Sequence, residues 1–136
     1  MKTNLNKGSH SVYSIHLHLV FVTKYRRKVL SFAMLERMKE IFAGVCEKAK
    51  SELIEFSGES DHVHLLVSMA PHIKVSQLVT NLKASSSRIV RKEFASEIRK
   101  VYSKPVLWHH AYCAISASGA PLSTLVAYIQ NQKVPN

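Results

Sequence analysis

The sequence predicts an α+β fold in which helices cover one face of an antiparallel, ferredoxin-like or RRM-like sheet. Apolar runs rich in β-branched residues alternate with stretches whose apolar residues recur at helical spacing. The resulting order is β-α-β-β-α-β-α, and its first six elements form the split βαβ pattern. The length of 136 residues, 46% of them hydrophobic, fits a single domain over 1–136 with a substantial core.

The first half of the chain alternates strand and helix patterns. The predicted elements are a strand at 12–23, a helix at 33–51 and short strands at 53–56 and 62–69. The segment Ser-Gly-Glu-Ser-Asp between the two short strands has the composition of a turn. We therefore expect these strands to pair as a hairpin.

The second half adds one strand and two helices. The predicted elements are a helix at 75–92, a strand at 112–115 and a C-terminal helix that begins at Pro121. Residues 98–108 are basic and show no regular pattern. Tyr128 and Gln132 lie on the flank of the last helix, on one face, because residues four apart are neighbours on a helix.

Basic residues occur in long blocks without acids. The chain has 19 Lys and Arg against 9 Asp and Glu, a formal net charge of +10, and residues 24–28 read KYRRK. Such blocks favour a polyanionic partner, although a basic protein with no nucleic-acid role has the same composition. The adjacent His109 and His110 are expected on opposite sides of a strand, facing solvent or DNA.

The composition also excludes several classes of protein. Cys46 and Cys113 form neither a zinc-binding spacing nor a disulfide framework, so we expect a reduced, cytoplasmic environment. The apolar run before Lys24 is too short to span a bilayer, so no membrane association is expected. No Gly-x-x-x-x-Gly-Lys-Ser/Thr motif occurs, which argues against a nucleotide cofactor.

Two His-x-His pairs are candidates for a metal site. His62 and His64 open the apolar run HVHLLV, and side chains two apart on a strand point to the same face. His16 and His18 have the same spacing on the first strand, which is the neighbour of the third in a ferredoxin-like sheet. We expect His18 near His64, where it would support the ligands without binding the metal itself. The spacing alone also fits two inert, hydrogen-bonded histidines.

The combination of Tyr128, two imidazoles and the amide of Gln132 suits phosphoryl transfer. A free tyrosine has a pKa of about 10, so its oxygen needs help to attack. A divalent ion provides that help by polarising a phosphate; Mg²⁺ prefers oxygen ligands and Mn²⁺ accepts imidazole more readily. Attack would leave a phosphotyrosine, and rejoining would need no ATP. A purely structural tyrosine on the helix flank is the alternative.

The chain resembles the HUH single-tyrosine transposases, TnpA, of the insertion-sequence 200/605 family in four segments that occur in the same order along the sequence. These segments are HSVYSIHLHLVFVTKYRRKVL (10–30), GESDHVHLLVSMAP (58–71), LKASSSRIVRKEF (82–94) and LWHHAYCAISASGAPLSTLVAYIQNQ (107–132). Small departures, such as Ser118 where a glycine is usual, remove no catalytic group.

The resemblance implies a metal-dependent enzyme that acts on DNA. His62, His64 and Gln132 would bind Mg²⁺ or Mn²⁺, and Tyr128 would be the nucleophile. The enzyme would cleave and rejoin single-stranded DNA at insertion-sequence ends through a 5′-phosphotyrosine and would recognise DNA hairpins. It would be a homodimer in which Tyr128 of one subunit completes the site of the other. The residues expected to bind the hairpin are Lys24, Arg26, Arg27, Lys83 and Arg88.

Three other functions fit parts of the sequence. A non-catalytic RRM-like nucleic-acid-binding module would present aromatic side chains from its sheet, and 12–23 and 62–69 lack that signature. A related HUH nickase would cleave without transferring strands. A small metal-dependent phosphodiesterase would form no covalent protein–DNA adduct.

Overall fold

The structure, a computed structural model, describes residues 15–117 of the chain. Its elements, in chain order, are β1 (Ile15–Thr23), a short turn of 3₁₀ type (Lys24–Arg26), α1 (Phe32–Lys48), β2 (Glu52–Glu59), β3 (His62–Met69), α2 (Val75–Glu93), α3 (Ala95–Arg99) and β4 (Trp108–Ser116). None of the helices in this part of the chain is long and apolar enough to cross a membrane.

The four strands form one antiparallel sheet in the order β2-β3-β1-β4. β3 lies between β1 and β2 and pairs with both, and β4 pairs with the other edge of β1. This is the split βαβ arrangement, so the predicted ferredoxin-like α+β fold is confirmed. The predicted C-terminal helix, which begins at Pro121, lies outside the described residues.

The structure corrects the limits of two predicted strands and adds a helix. β2 extends to Glu59, so the turn of the hairpin is only Ser60 and Asp61 rather than the five residues expected. Pairing with the eight-residue strand β3 extends the ladder through Gly58, which lies against Leu35 of α1. β4 is longer than the predicted 112–115, and α3 lies in a segment where no element was predicted.

The hydrophobic core fills the space between one face of the sheet and the helices. Alternate residues of β1 and β3 point into it, because side chains alternate along a strand. Phe21 of β1 is fully buried, and its ring centroid lies 6.0 Å from that of Phe42 on α1 and 5.8 Å from that of Trp108 on β4. These edge-on contacts connect the central strand to a helix and to an edge strand.

The opposite face of the sheet carries the histidines. We call it the histidine face, and its residues on the two central strands include His16, His18, Val20, Val22, His62 and His64. Val20 lies opposite His64 across the β1–β3 pair, and Val22 lies opposite His62. Val20 and Val22 are buried and form a second, smaller apolar cluster with Cys113 and Ile115 of β4. The two central strands thus set the positions of all four of these histidines.

Candidate metal and DNA site

His62 and His64 lie side by side at the start of β3, directly after the β2–β3 turn. Both point to the histidine face, because the alternate residues Val63 and Leu65 belong to the helix-side core. The ring centroids of the two histidines are 4.9 Å apart, and the rings are nearly perpendicular, at 87°. The strand therefore presents two imidazoles together on one face.

Asp61, the last residue of the hairpin turn, contacts the ring of His62. Its Oδ1 lies 2.7 Å from Nδ1 of His62, and its Oδ2 lies 3.5 Å from Nη2 of Arg26. Burial would raise the pKa of this carboxyl, but the hydrogen bond and charge of His62 and the charge of Arg26 hold the pKa below its usual value. Nδ1–H of His62 can thus donate to a carboxylate, which leaves Nε2, 3.5 Å from Oε2 of Glu59, as the nitrogen available to a metal ion.

His64 is buried, with 5% of its surface exposed, and neither ring nitrogen has a hydrogen-bond partner within residues 15–117. Burial, followed by the neighbouring His62 and His18, lowers the pKa of His64 to about 4. The ring is therefore neutral near pH 7, which is the form that binds metal ions. Buried polar atoms without partners are rare, and a bound cation would satisfy one of them. The donor chemistry of this pair fits a divalent metal ion.

His18 lies beside His64, at the position where the sequence placed it. The ring centroids of these two residues are 5.5 Å apart. His18 is fully buried, its burial lowers its pKa, and no described residue hydrogen-bonds to either of its nitrogens. Its role in supporting the metal ligands stays a prediction. His16 lies further along β1, opposite Ser68.

Two imidazoles are the candidate metal ligands that the described part of the chain supplies at this site. Within residues 15–117 no group of three or more His, Cys, Asp or Glu side chains could hold a metal ion. The predicted third ligand, Gln132, and the predicted nucleophile, Tyr128, both lie outside the described residues. Their roles stay predictions from the sequence.

Residues 24–28, which we call the basic turn, adjoin the histidine pair. Arg26 reaches Asp61, the residue that contacts His62. Lys24 is half-buried, whereas Arg26 and Arg27 are exposed. Three of the five residues predicted to bind DNA therefore lie together at the end of the sheet that carries His62.

β4 departs from regular pairing close to the basic turn. Phe21 pairs with Tyr112 and Thr23 pairs with Trp108, so a single residue of β1 lies opposite the three residues 109–111. This bulge leaves backbone carbonyl groups outside the regular ladder of hydrogen bonds.

Lys83 of α2, which the sequence predicted to bind DNA, donates to the backbone of this bulge, and its role in DNA binding stays a prediction. Its Nζ donates to the carbonyl oxygens of His109, His110 and Ala111 at 2.6, 3.2 and 3.4 Å. Burial lowers the pKa of the Lys83 ammonium. The side chain thus supplies its charge and donors to the protein's own backbone. The basic block around Lys83 in the sequence does not indicate this contact, because the bulge is more than 25 residues away along the chain.

The bulge corrects the expectation for His109 and His110. The two rings do not lie on opposite sides of the strand: their centroids are only 4.3 Å apart. His109 is buried, and only His110 is exposed. The alternation rule fails here because residues within a bulge do not follow the regular pleat.

Arg88 lies apart from the other predicted DNA-binding residues. It is exposed on α2 and lines the groove between α1 and α2, together with Arg37 and Lys48. These helices cover the sheet face opposite the histidine face. The structure therefore does not bring Arg88 to the basic turn or to His62.

The fold and the histidine pair define a ferredoxin-like protein with a two-imidazole site beside a basic turn. The family model described as "Transposase IS200 like" matches residues 11–132 of the chain. The chain therefore belongs to the IS200-like transposase family, whose enzymes cleave DNA and transfer its strands.

Curated relatives show the same similarity. The ISDra2 transposase TnpA of Deinococcus radiodurans is 29% identical over 128 residues, which cover 94% of this chain and 91% of the relative. The transposase for insertion sequence element IS200 of Salmonella typhimurium is 25% identical over 124 residues, covering 91% of this chain and 80% of the relative.

Two solved structures have a similar fold. A crystal structure of a candidate transposase from Deinococcus radiodurans R1 superposes with a TM-score of 0.77 at 29% identity, covering 99% of this chain and all of the other. A REP-associated tyrosine transposase bound to a REP hairpin superposes with a TM-score of 0.60 at 9% identity, covering 90% of this chain and 68% of that one. The second likeness concerns the fold alone.

Proposed function

We propose that this transposase cleaves and rejoins single-stranded DNA at insertion-sequence ends through a 5′-phosphotyrosine on Tyr128, with a divalent metal ion held by His62, His64 and Gln132. The observation that carries the proposal is the histidine pair. His64 is buried and neutral, and no described residue bonds its nitrogens, while Asp61 contacts Nδ1 of His62. Buried ring nitrogens are rarely left without a hydrogen-bond partner, and a metal ion on this face would supply a partner for one of them.

Each of the chain's own residues at the site has a separate role in the reaction. Asp61 holds the ring of His62 so that Nε2 is presented to a ligand. The depressed pKa of His64 keeps its lone pair available at neutral pH. A Mg²⁺ or Mn²⁺ ion, when bound, polarises the scissile phosphate and stabilises the charge that develops on it. Tyr128 attacks that phosphate, and the bond to the 3′ oxygen of the DNA breaks as the 5′-phosphotyrosine forms. The phenol loses one proton and the 3′ oxygen gains one as it becomes a hydroxyl, so the step is balanced.

We further propose that the substrate carries DNA hairpins and that the enzyme acts as a homodimer in the cytoplasm with a shared active site. The net charge of +10 favours a polyanion, and the described turn places Lys24, Arg26 and Arg27 next to the histidine pair. The fold neighbour bound to a REP hairpin supports a hairpin as the partner.

A related nickase with the same site is the second candidate, because cleavage alone needs the same nucleophile and metal. A strand-transfer assay separates the two functions. Joining of a donor strand to a target strand supports the transposase, and cleavage without joining supports the nickase. An RRM-like binding module would give neither product.

The experiment that tests the proposal is covalent capture. The protein is incubated with labelled single-stranded DNA from the flanks of its gene, with Mn²⁺ or Mg²⁺, and an adduct that survives denaturation is expected. Tyr128→Phe should form no adduct while binding the DNA nearly as well as the wild type. Normal adduct formation by Tyr128→Phe would rule out Tyr128 as the nucleophile.

Histidine variants test the metal site in the same assay. His62→Ala and His64→Ala should each lose metal-dependent cleavage. His16→Ala is the matched control, because it removes an imidazole from the same face of the neighbouring strand, and its effect should be milder. The opposite ranking would show that the other histidine pair forms the site.

A further inference from the structure

Tyr25 is a large aromatic side chain that the protein holds in solvent in an unfavourable backbone conformation. Its side chain is 71% exposed. Its φ angle is 59°, and that of Arg26 is 54°, so two successive non-glycine residues have a left-handed backbone conformation. Such residues are uncommon, and they persist only where the surrounding structure fixes them.

Four hydrogen bonds fix the backbone on either side of Tyr25. Thr23 Oγ1 donates to the carbonyl of Arg27 at 2.7 Å, and Arg27 N donates to the carbonyl of Lys24 at 3.3 Å. Lys24 N donates to the carbonyl of Leu107 at 2.8 Å, and the Tyr102 hydroxyl donates to the carbonyl of Lys24 at 2.6 Å. The turn is therefore built into the fold, and the ring is presented from a rigid support.

The surroundings of the ring are cationic. Nζ of Lys24 lies 5.3 Å from the centroid of the Tyr25 ring. Arg26, Arg27 and Lys28 follow directly and are exposed. Single-stranded nucleic acids are bound by this combination, in which cations follow the phosphates and an aromatic face stacks on a base. The contact with Lys24 alone would not require a ring so exposed to solvent.

The position of the turn links the ring to the histidine pair. Val22, three residues before Tyr25, lies opposite His62 across the β1–β3 pair. Arg26, the residue after Tyr25, reaches Asp61 at 3.5 Å. The turn that carries Tyr25 therefore lies at the end of the sheet where the histidine pair is.

We propose that Tyr25 stacks on an unpaired base of the single strand that crosses the His62–His64 site, while Arg27 and Lys28 contact the flanking phosphates. The proposal rests on the proposed function, since it names how that substrate is held. Stacking fixes the strand along its length, so Tyr25 is a residue that positions the scissile phosphate.

Equilibrium binding of a short mixed-sequence single strand, measured by fluorescence anisotropy with a chelator present, tests the proposal without cleavage. Tyr25→Asn removes the ring and suits a left-handed position, so the turn should stay folded. It should weaken binding roughly 5- to 150-fold, the range that removal of one stacking aromatic gives. Tyr25→Phe should keep the affinity. Phe32→Ala is the matched control, because Phe32 is 78% exposed but lies beyond the basic turn, and it should bind like the wild type.

A strand of the same length without bases identifies the partner of the ring. On this abasic strand the wild type and Tyr25→Asn should bind equally, whereas Arg27→Gln should be weaker than the wild type on both strands. The proposal is overturned if Tyr25→Asn binds the normal strand like the wild type, if its loss is the same on the abasic strand, or if Tyr25→Phe loses as much. Failure of the proposed function has a different signature, which is a wild-type protein that forms no covalent adduct with metal present.

Discussion

Asp61 and His62 are neighbours in the chain whose side chains also meet, with Oδ1 of Asp61 2.7 Å from Nδ1 of His62. The other carboxylate oxygen faces Arg26 of the basic turn. One carboxylate therefore connects the histidine pair to the cationic segment. When Nδ1–H of His62 donates to Asp61, Nε2 is the nitrogen left for a metal ion, and it lies 3.5 Å from Oε2 of Glu59.

Removing this carboxylate should weaken metal binding. We expect Asp61→Ala to lower the affinity for Mn²⁺ by roughly 10- to 100-fold, the usual cost of losing the group that orients a histidine ligand. Isothermal titration calorimetry measures it directly. Glu55→Gln is the control, because Glu55 is an exposed carboxylate on β2 that lies opposite Leu66 rather than opposite His62. An Asp61→Ala protein with wild-type affinity would show that the contact does not orient a ligand.

The basic turn should account for part of the salt dependence of DNA binding. Replacing Arg26 and Arg27 by Gln should reduce the slope of log affinity against log salt by about 0.7–0.9 for each DNA phosphate that the protein no longer neutralises. The measurement is a series of binding curves at increasing salt. An unchanged slope would remove the turn from the DNA interface.

Lys83 should behave differently from these arginines. Lys83→Met should leave the salt slope unchanged, because the ammonium donates to three backbone carbonyls of β4. It should lower the free energy of unfolding by about 1.5–3 kcal/mol, the range for losing a hydrogen bond to a charged group. Chemical denaturation measures that loss. A reduced slope together with unchanged stability would show that Lys83 contacts DNA and does not stabilise β4.

Two glycines give opposite predictions for the same substitution. A Cβ on Gly58 would lie 2.7 Å from Cδ2 of Leu35 and 3.0 Å from Cγ1 of Val63, so Gly58→Ala should lower the free energy of unfolding by about 1–3 kcal/mol. A Cβ on Gly44, inside α1, meets nothing within 4 Å, so Gly44→Ala should raise it by about 1 kcal/mol through helix propensity. Urea denaturation of both proteins checks the pair. Equal effects of one sign would show that the approach of α1 to β2 is not as close as described.

The sequence predicted the elements whose pattern is local. The strand at 62–69 has the same limits in the structure, and the helix at 75–92 differs by one residue, because apolar periodicity is a property of neighbouring residues. The neighbouring positions of the two His-x-His pairs followed from the split βαβ order.

What the sequence did not predict depends on contacts between distant residues. The Lys83 ammonium binds the bulge at 109–111, which lies 26 to 28 residues further along the chain. No local sequence pattern indicates such a contact. The Asp61 contact had a visible signal, an acid directly before His62, but its geometry depends on the two-residue turn. That turn was missed because Gly58 and Glu59 have the composition of a loop and yet continue the strand.

The proposed sharing of the active site between two subunits leads to the most decisive prediction. The described fold supplies two imidazoles, whereas the predicted nucleophile and third ligand, Tyr128 and Gln132, both belong to the predicted C-terminal helix. If that helix serves the partner subunit, each site combines histidines of one subunit with a tyrosine of the other.

Mixing Tyr128→Phe subunits with subunits that carry both His62→Ala and His64→Ala tests this arrangement. In the heterodimer one site then has two intact histidines and an intact tyrosine, and it should form the adduct, while each variant alone is inactive. If the helix served its own subunit, every site would lack either the nucleophile or the metal ligands. An inactive mixture, with exchange of subunits verified by differently tagged chains, would therefore contradict the shared site and leave the rest of the proposed chemistry intact.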